Sequence, residues 1–542
     1  MHAARWGTAV ARALVATVLV VAACSGGDDP PGRSSTSGPA TTATTRPADA
    51  EGTTQWRPVT HYTPGRNWMN DPNGLVYHDG TWHLFYQHNP RGDGLGNMSW
   101  GHATSPDLVA WAEQPVAIEA SDDELVFSGS IVVDHDNTSG LGTGGEPPLV
   151  AVYTSVYGDG SGFPANTQAQ SLAYSTDGGA TWRRYEGNPV LRLGEPEARS
   201  FRDPKVFWYE PGGYWVMAAV VAEAKVVKLF RSDDLVTWDH LSDVEGAAEG
   251  GGDWEMPDLF PLALDGEGGD ERWVLVVSLN GGDVADDSGA QYVVGEFDGT
   301  TFRPDGDPAP VDHGADFYAA GTWNDAPDGE RIGIAWMANW AYAAEVPTAP
   351  WRGAMTAPRR LALRTVDGEP RLVAEPAVPD RRAGAAYEAA AVTVDGDGRD
   401  DAAVEELPRS ARGVVADVEV VLDPGTATTA GLAVRRSADG SEEVRIAYEP
   451  ATRTLTVDRS RSGGVDFSPE FTTVHRAQVP ASAVEDGLDL RILVDRSSVE
   501  VFAAGGAVTF SDVVLPAGDS DGIALFAAGG EATFRDVRVR HP

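Results

Sequence analysis

Three acidic side chains stand where a carboxylate could do chemistry: Asp71 in WMNDPNG, Asp203 in FRDP and Glu255 in WEMPD. Each has aromatic neighbours and a proline close by. Singly they are ordinary, because Asp-Pro opens turns and Asp-Pro-Asn-Gly suits a type I turn. Together they match what glycoside hydrolysis requires. That reaction places one carboxylate beneath the anomeric carbon and uses a second to protonate the leaving oxygen. Aromatic rings around the pair offer flat faces to sugar C–H surfaces, and burial raises the proton affinity of the acid. Other chemistries find less support. The 11 histidines form no HExxH and no close metal-like grouping, so neither metal nor cofactor is expected. No GxSxG elbow occurs, and Asp134 and Asp136 in VVDHDNTSG fall short of an EF-hand loop.

The elements that must hold these residues read as strands. WHLFYQ, LVAVYTSV, YWVMAAVV and RWVLVVSL are rich in aromatic and β-branched residues and are separated by Gly, Pro and Asp turns, while helical periodicity is scarce. A weak repeat follows such runs: SPDLVAW (105–111), STDGGATW (175–182), SDDLVTW (232–238) and a degenerate FDGTTF (297–302). Copies 57 to 70 residues apart suit four-stranded blades, hence a β-propeller. Beyond PRRLAL (358–363) the chain becomes Ala/Val/Asp-rich, and LDLRILVDRSSVEVFAA alternates as a half-buried antiparallel sheet does. The expectation is an all-β protein, with a propeller over 56–365 and a C-terminal β-sandwich over 385–542.

Composition narrows the partners. With 542 residues, two or three domains are the natural expectation. The chain carries 81 Asp+Glu against 41 Lys+Arg, a formal charge of −40. Such a surface repels nucleic acid and anionic lipid, so a neutral partner is favoured. At the N-terminus, Arg5 and Arg12 precede the apolar run ALVATVLVVAA, too short for a comfortable membrane span. The run ends in VAAC, which resembles the lipobox of bacterial lipoproteins, with Cys24 the lipidated residue and 1–24 the signal peptide. Cys24 is the only cysteine, so no disulfide can form within the chain. Residues 25–55, dominated by Ser, Thr, Gly, Pro, Ala and Asp, read as a disordered tether. The expectation is an extracellular protein held to the outer face of the membrane by its lipid alone.

From His61 onward the ordered motifs resemble glycoside hydrolase family 32, the levanases, inulinases and invertases. They include HYTPGRNWMNDPNGLVYHDGTWHLFYQHNP, NMSWGHATSPDLVAW, FSGS, FRDPKVFW, WEMPDLF, DFYAAGTW and AWMANWAYAAEVPTAPWRGAMTAPR, with LRILVDRSSVEVFAAGG towards the end. The resemblance implies a five-bladed propeller with a funnel-shaped site at its axis. It implies Asp71 as nucleophile, forming a fructosyl ester at C2, and Glu255 as acid and then base. Asp203 would bind fructose hydroxyls and stabilise the oxocarbenium-like transition state, with Arg202 beside it. Asn70, Gln87 and Ser128 would hydrogen-bond the fructose, Trp68 and Phe127 would line its pocket, and one of Trp336 and Trp340 would join them. A retaining mechanism follows, with carboxyl groups roughly 5–5.5 Å apart. The expected substrate is fructan or sucrose. Two positions depart from the family pattern: Leu95 stands where a pocket-lining Trp is usual, and Met256 where a Cys usually follows the acid. They bear on specificity and pH optimum, not on reaction class. A fructosyltransferase with the same carboxylates and a fructan-binding protein without turnover remain open alternatives at this point, as do linkage preference and oligomeric state.

Overall fold

Strands that follow one another closely in sequence pair as neighbours here, because short Gly/Asp turns return each strand antiparallel to the one before. The computed structural model describes residues 55–542, except 267, 283–284, 379–383 and 397–401. The expected signal peptide, Cys24 and the expected tether up to residue 54 lie outside the described residues.

Five such sheets form the blades of a propeller. Their innermost strands are Asn67–His78, Glu124–Val133, Phe201–Tyr209, Asp253–Ala263 and Tyr318–Thr322. Each inner strand touches the next, and the fifth touches the first. The ring is closed by Trp351–Arg352, which pairs parallel to Asn67 and Trp68, and by Asn324, whose backbone bonds to Leu75 and Tyr77 at 3.0 Å.

The repeated Ser/Asp motifs have a local cause. Each connects the third strand of a blade to the next strand. Asp107 accepts from the Val109 and Ala110 amides at 3.0 and 2.8 Å. Asp234 does the same for Val236 and Thr237, and Asp298 for Thr300 and Thr301. The side chain thereby replaces the hydrogen bonds that the turn withholds from its own backbone.

Beyond the propeller, two six-stranded antiparallel sheets face each other as a sandwich. Their inward positions fill one hydrophobic core that includes Val418, Leu432, Ile446, Ile492 and Phe534. The sandwich is fixed to the propeller by a dry ionic seam. Arg359, 1% exposed, bridges Asp312 at 2.8 Å and Glu500 at 2.7 Å. His61 lies between Asp495 and Glu500 at 2.9 and 2.8 Å. Burial opposes charge on His61, but its hydrogen bonds to the two carboxylates outweigh that and raise it to about 10. Tyr342, from the AWMANWAY stretch, donates to Asp316 at 2.7 Å and accepts from Arg459 of the sandwich at 3.0 Å. The sandwich therefore braces the segment that carries Trp340.

Candidate active site

Every inner strand is broken by a bulge, where two residues oppose one on the neighbouring strand. The breaks fall between Met69 and Pro72, Val126 and Gly129, Arg202 and Lys205, Glu255 and Asp258, and Tyr318 and Gly321. A bulge re-aims side chains that a regular strand would send to the sheet faces. The candidate residues lie in these bulges or immediately before them: Asn70 and Asp71, Phe127 and Ser128, Arg202 and Asp203, Glu255 and Met256. Asp203, Met256 and Ala319 take φ of +60°, +50° and +55°. That left-handed backbone is costly for a side chain and clusters at functional sites.

The three carboxylates are held differently. Asp71, 8% exposed, accepts from Ser128 Oγ at 2.7 Å and from Asn70 Nδ2 at 3.0 Å. Burial, aided by the nearby Glu255 charge, raises it to about 6 despite these two bonds. Asp203, also buried, accepts from the Met256 amide at 3.1 Å, and its own amide donates to Thr154. Burial, with the charges of Glu255 and Asp71, pushes Asp203 up, against the pull of Arg202. The Glu255 side chain is the most accessible of the three, at 15%. Arg202 Nη2 donates to its Oε1 at 2.8 Å, and the Tyr318 hydroxyl donates to its Oε2. Arg202 also lies 3.9 Å from Asp203 and 3.6 Å from Asp253. One guanidinium thus balances the cluster.

An aromatic and sulfur-rich wall stands beside the carboxylates: Trp68, Met98, Phe127, Met256, Tyr318, Trp336 and Trp340 pack as one group. Trp68 Nε1 donates to Asn70 at 2.8 Å, which fixes the Asn70 amide for Asp71. Trp340 lies nearly parallel to Trp68, with centroids 6.1 Å apart. Trp336 and Trp340 were expected as alternatives, and both belong to the wall. Trp336 is fully buried behind it, whereas half-buried Trp340 keeps a free surface. Trp340 is therefore the one that can meet a ligand, and Trp336 supports it.

Two further positions are sharpened. Ser128, expected against the sugar, spends its proton on Asp71. Gln87 gives one amide proton to the Val126 carbonyl at 3.1 Å and the other to Asn73 at 3.0 Å, leaving Oε1 for a ligand. Asn73 in turn donates to Ser128 Oγ at 3.2 Å, so the chain of bonds ends on Asp71. Leu95 is 61% exposed, on a loop tied down by the Asn89 to Gly94 and Arg352 to Asp93 bonds. The contribution of Met256 to the polar cluster is its backbone amide, which any residue would offer.

Sequence reasoning missed Tyr318 and Asn73 as site residues. Tyr318 lies inside DFYAAGTW, but what marks it, its place just before the fifth bulge as Arg202 and Glu255 precede theirs, comes from strand pairing and not from sequence.

Two carboxylates with different partners, set at the axis of a five-bladed propeller beside an aromatic wall, define a glycosidase of the two-carboxylate kind. Comparison with known sequences carries this further. The description "Glycosyl hydrolases family 32 N-terminal domain" matches residues 61–376 and "Glycosyl hydrolases family 32 C terminal" matches 387–541. The chain belongs to glycosyl hydrolase family 32. It is 42% identical to a levanase of Bacillus subtilis over 476 residues, covering 86% of this chain and 68% of that protein. It is 41% identical to an extracellular exo-inulinase of Aspergillus niger, covering 85% and 89%. Among solved structures, the exo-inulinase of Aspergillus awamori superposes with a TM-score of 0.82 at 38% identity, covering 89% and 97%. A β-fructofuranosidase of Schwanniomyces occidentalis in complex with fructosyl-erythritol superposes with 0.76 at 29%, covering 90% and 98%.

Proposed function

We propose that this hydrolase cleaves β-fructofuranosidic bonds of levan or inulin from the chain end, and of sucrose, with retention through a fructosyl-enzyme ester. Asp71 attacks C2 of the fructosyl unit while Glu255 gives its proton to the departing glycosidic oxygen. Glu255 then takes a proton from water, which cleaves the ester and frees fructose. Asp203 and Arg202 hold the hydroxyls of the ring, and Asp203 faces the positive charge that develops there. Asn70, Gln87 Oε1, Trp68, Phe127 and Trp340 complete the pocket.

The observation that carries the reading is the contrast between the two carboxyls. Asp71 is buried and fixed by Ser128 and Asn70, as a nucleophile must be. Glu255 is the more open, between Arg202 and Tyr318, as a group that exchanges protons must be. Relatives named levanase and exo-inulinase support the choice of fructan. Export is supported by the signal-like N-terminus and by the word extracellular in the exo-inulinase's name. Anchoring through Cys24 rests on VAAC alone, and Cys24→Ser should release the protein into the medium.

The test is to incubate the purified protein with levan, inulin and sucrose and to assay free fructose. Activity confined to other furanosides refutes the reading. Asp71→Ala should abolish turnover while leaving fructan binding measurable. A wild-type protein that binds fructan without turning it over would instead be a binding protein.

A further inference from the structure

Three of the inner strands, Glu124–Val133, Phe201–Tyr209 and Asp253–Ala263, continue past the active site to a second cavity, of about 640 Å³. Phe201–Tyr209 carries Asp203 near one end and lines this cavity with Phe207, Trp208 and Tyr209 at the other. Four residue steps of strand lead from Asp203 to Phe207, roughly 13 Å. The two spaces are not one channel. Lys205 Nζ donates to the Thr322 carbonyl at 2.6 Å and pairs with Asp258 at 3.2 Å across the axis. Asn324 Nδ2 bridges the Ile131 and Val206 carbonyls at 2.8 and 3.0 Å. The space beneath the catalytic bulges, about 30 Å³, has room for a water molecule but not for a sugar. Whatever enters the far cavity binds there independently.

Its lining is unlike a solvent vestibule. Trp208 is part-exposed and stands edge-on to Trp215, centroids 5.0 Å apart, with its Nε1 tied to Glu210 at 2.6 Å. Phe207, Tyr209 and Trp273 extend the aromatic wall. Arg331 lines the same cavity. Among the described residues it has no ion pair within 4.0 Å, and its one hydrogen bond is a long contact of 3.5 Å to Thr322 Oγ1. Its guanidinium carbon lies over the Phe260 ring, 5.0 Å from the centroid, and its remaining N–H donors are left for a ligand. Asp325 beside it keeps a 36% exposed side chain, with one 3.4 Å contact to His135. Carboxylates at Asp136, Glu210, Glu271 and Asp325 outnumber Arg331, which among the described residues has no carboxylate partner, and this disfavours an anionic ligand. Flat aromatic faces beside a fork of donors and a part-exposed carboxylate suit a neutral polyhydroxylated chain.

We infer that this far cavity is a second carbohydrate site, which grips a neutral oligosaccharide segment of the polymer whose end is being cut. The choice of fructan as that polymer rests on the function proposed above; the existence of the site does not. Trp208→Ala and Asp325→Ala, made singly, test it, since neither residue belongs to the catalytic cluster.

In the full-length Asp71→Ala protein, calorimetric titration with nystose should show two sites, and adding Trp208→Ala should leave one. In the active enzyme, Trp208→Ala should raise KM for levan or inulin roughly tenfold while kcat/KM for sucrose stays within about twofold. Intact sucrose turnover also shows that the variant folds. If Trp208→Ala loses that turnover, Asp325→Ala at the exposed rim decides in its place. One-site binding in the Asp71→Ala protein, or polymer KM unchanged in a variant with normal sucrose turnover, overturns the inference. Absence of fructan hydrolysis by the wild type would instead overturn the proposed function, and the nystose titration would still count the sites.

Discussion

Ser128→Ala separates two roles that sequence could not tell apart. The Ser128 hydroxyl lies 2.7 Å from Asp71 Oδ2 and is 2% exposed. A hydrogen bond to a charged acceptor in such a place is worth roughly 1.5–3 kcal/mol. At about 1.4 kcal/mol per pH unit, its loss should raise the acid limb of the kcat/KM profile by roughly 1–2 units. The sign follows from the chemistry. The Ser128 bond favours the ionised Asp71, only the ionised form attacks C2 in the proposed mechanism, and Asp71 already lies at about 6. Removing the bond makes Asp71 hold its proton to higher pH. Well below the limb, kcat/KM should therefore fall roughly 10- to 100-fold, and above it most of the loss should vanish. The assay is initial-rate fructose release from sucrose across the pH range, where kcat/KM reports the free enzyme. A loss of the same size at every pH, carried by KM, would mean that Ser128 binds the sugar. A profile that does not move would refute the assigned bond.

Glu255→Gln keeps the shape of the acid but not its proton, so kcat on fructan should drop by roughly 10²–10⁴-fold. Tyr318→Phe removes one of the two donors that orient Glu255, and a roughly 10- to 100-fold loss in kcat/KM, mostly in kcat, is expected; an unchanged kcat would show that Tyr318 is only a spacer. Trp340→Ala should raise KM more than it lowers kcat, whereas truncating buried Trp336 should show first as a lower Tm. At the seam, His61 is raised to about 10 by its two carboxylate partners. Its contribution to stability is complete below the unfolded value near 6.5 and is lost as pH rises through about 10. Tm measured from pH 6 to 10 should fall, and more steeply than in His61→Asn. Asp495, held to about 2 by His61 and the backbone amides of Thr60 and Val59 despite its burial, works in the opposite direction. Its share is present above the usual value of 3.8 and is lost as pH falls towards 2.

Local features were legible in sequence because their cause is local. The Ser/Asp repeat marked the outer turns of the blades, since Asp107 and Asp234 satisfy amides two and three residues ahead. The three carboxylates could be named from their motifs and from family resemblance. Alternation in LDLRILVD announced the sandwich, whose inward positions Leu490, Ile492 and Val494 are buried. Leu95 and Met256 stood out as departures, though not for what they touch.

What the sequence by itself determined is therefore the all-β class and the family, and it singled out Asp71, Asp203 and Glu255 as the carboxylates proposed to react. The tertiary structure decided which groups meet. Glu255 finds Tyr318 63 residues away, and Ser128 finds Asp71 57 residues away, through ring closure that no local pattern encodes. The inner-strand bulges are likewise pairing events between strands, visible only once register is set. So too are the burial that places Trp336 behind Trp340 and the axial plug at Lys205. Each depends on residues distant in sequence excluding water together, and that is a property of the packed ring.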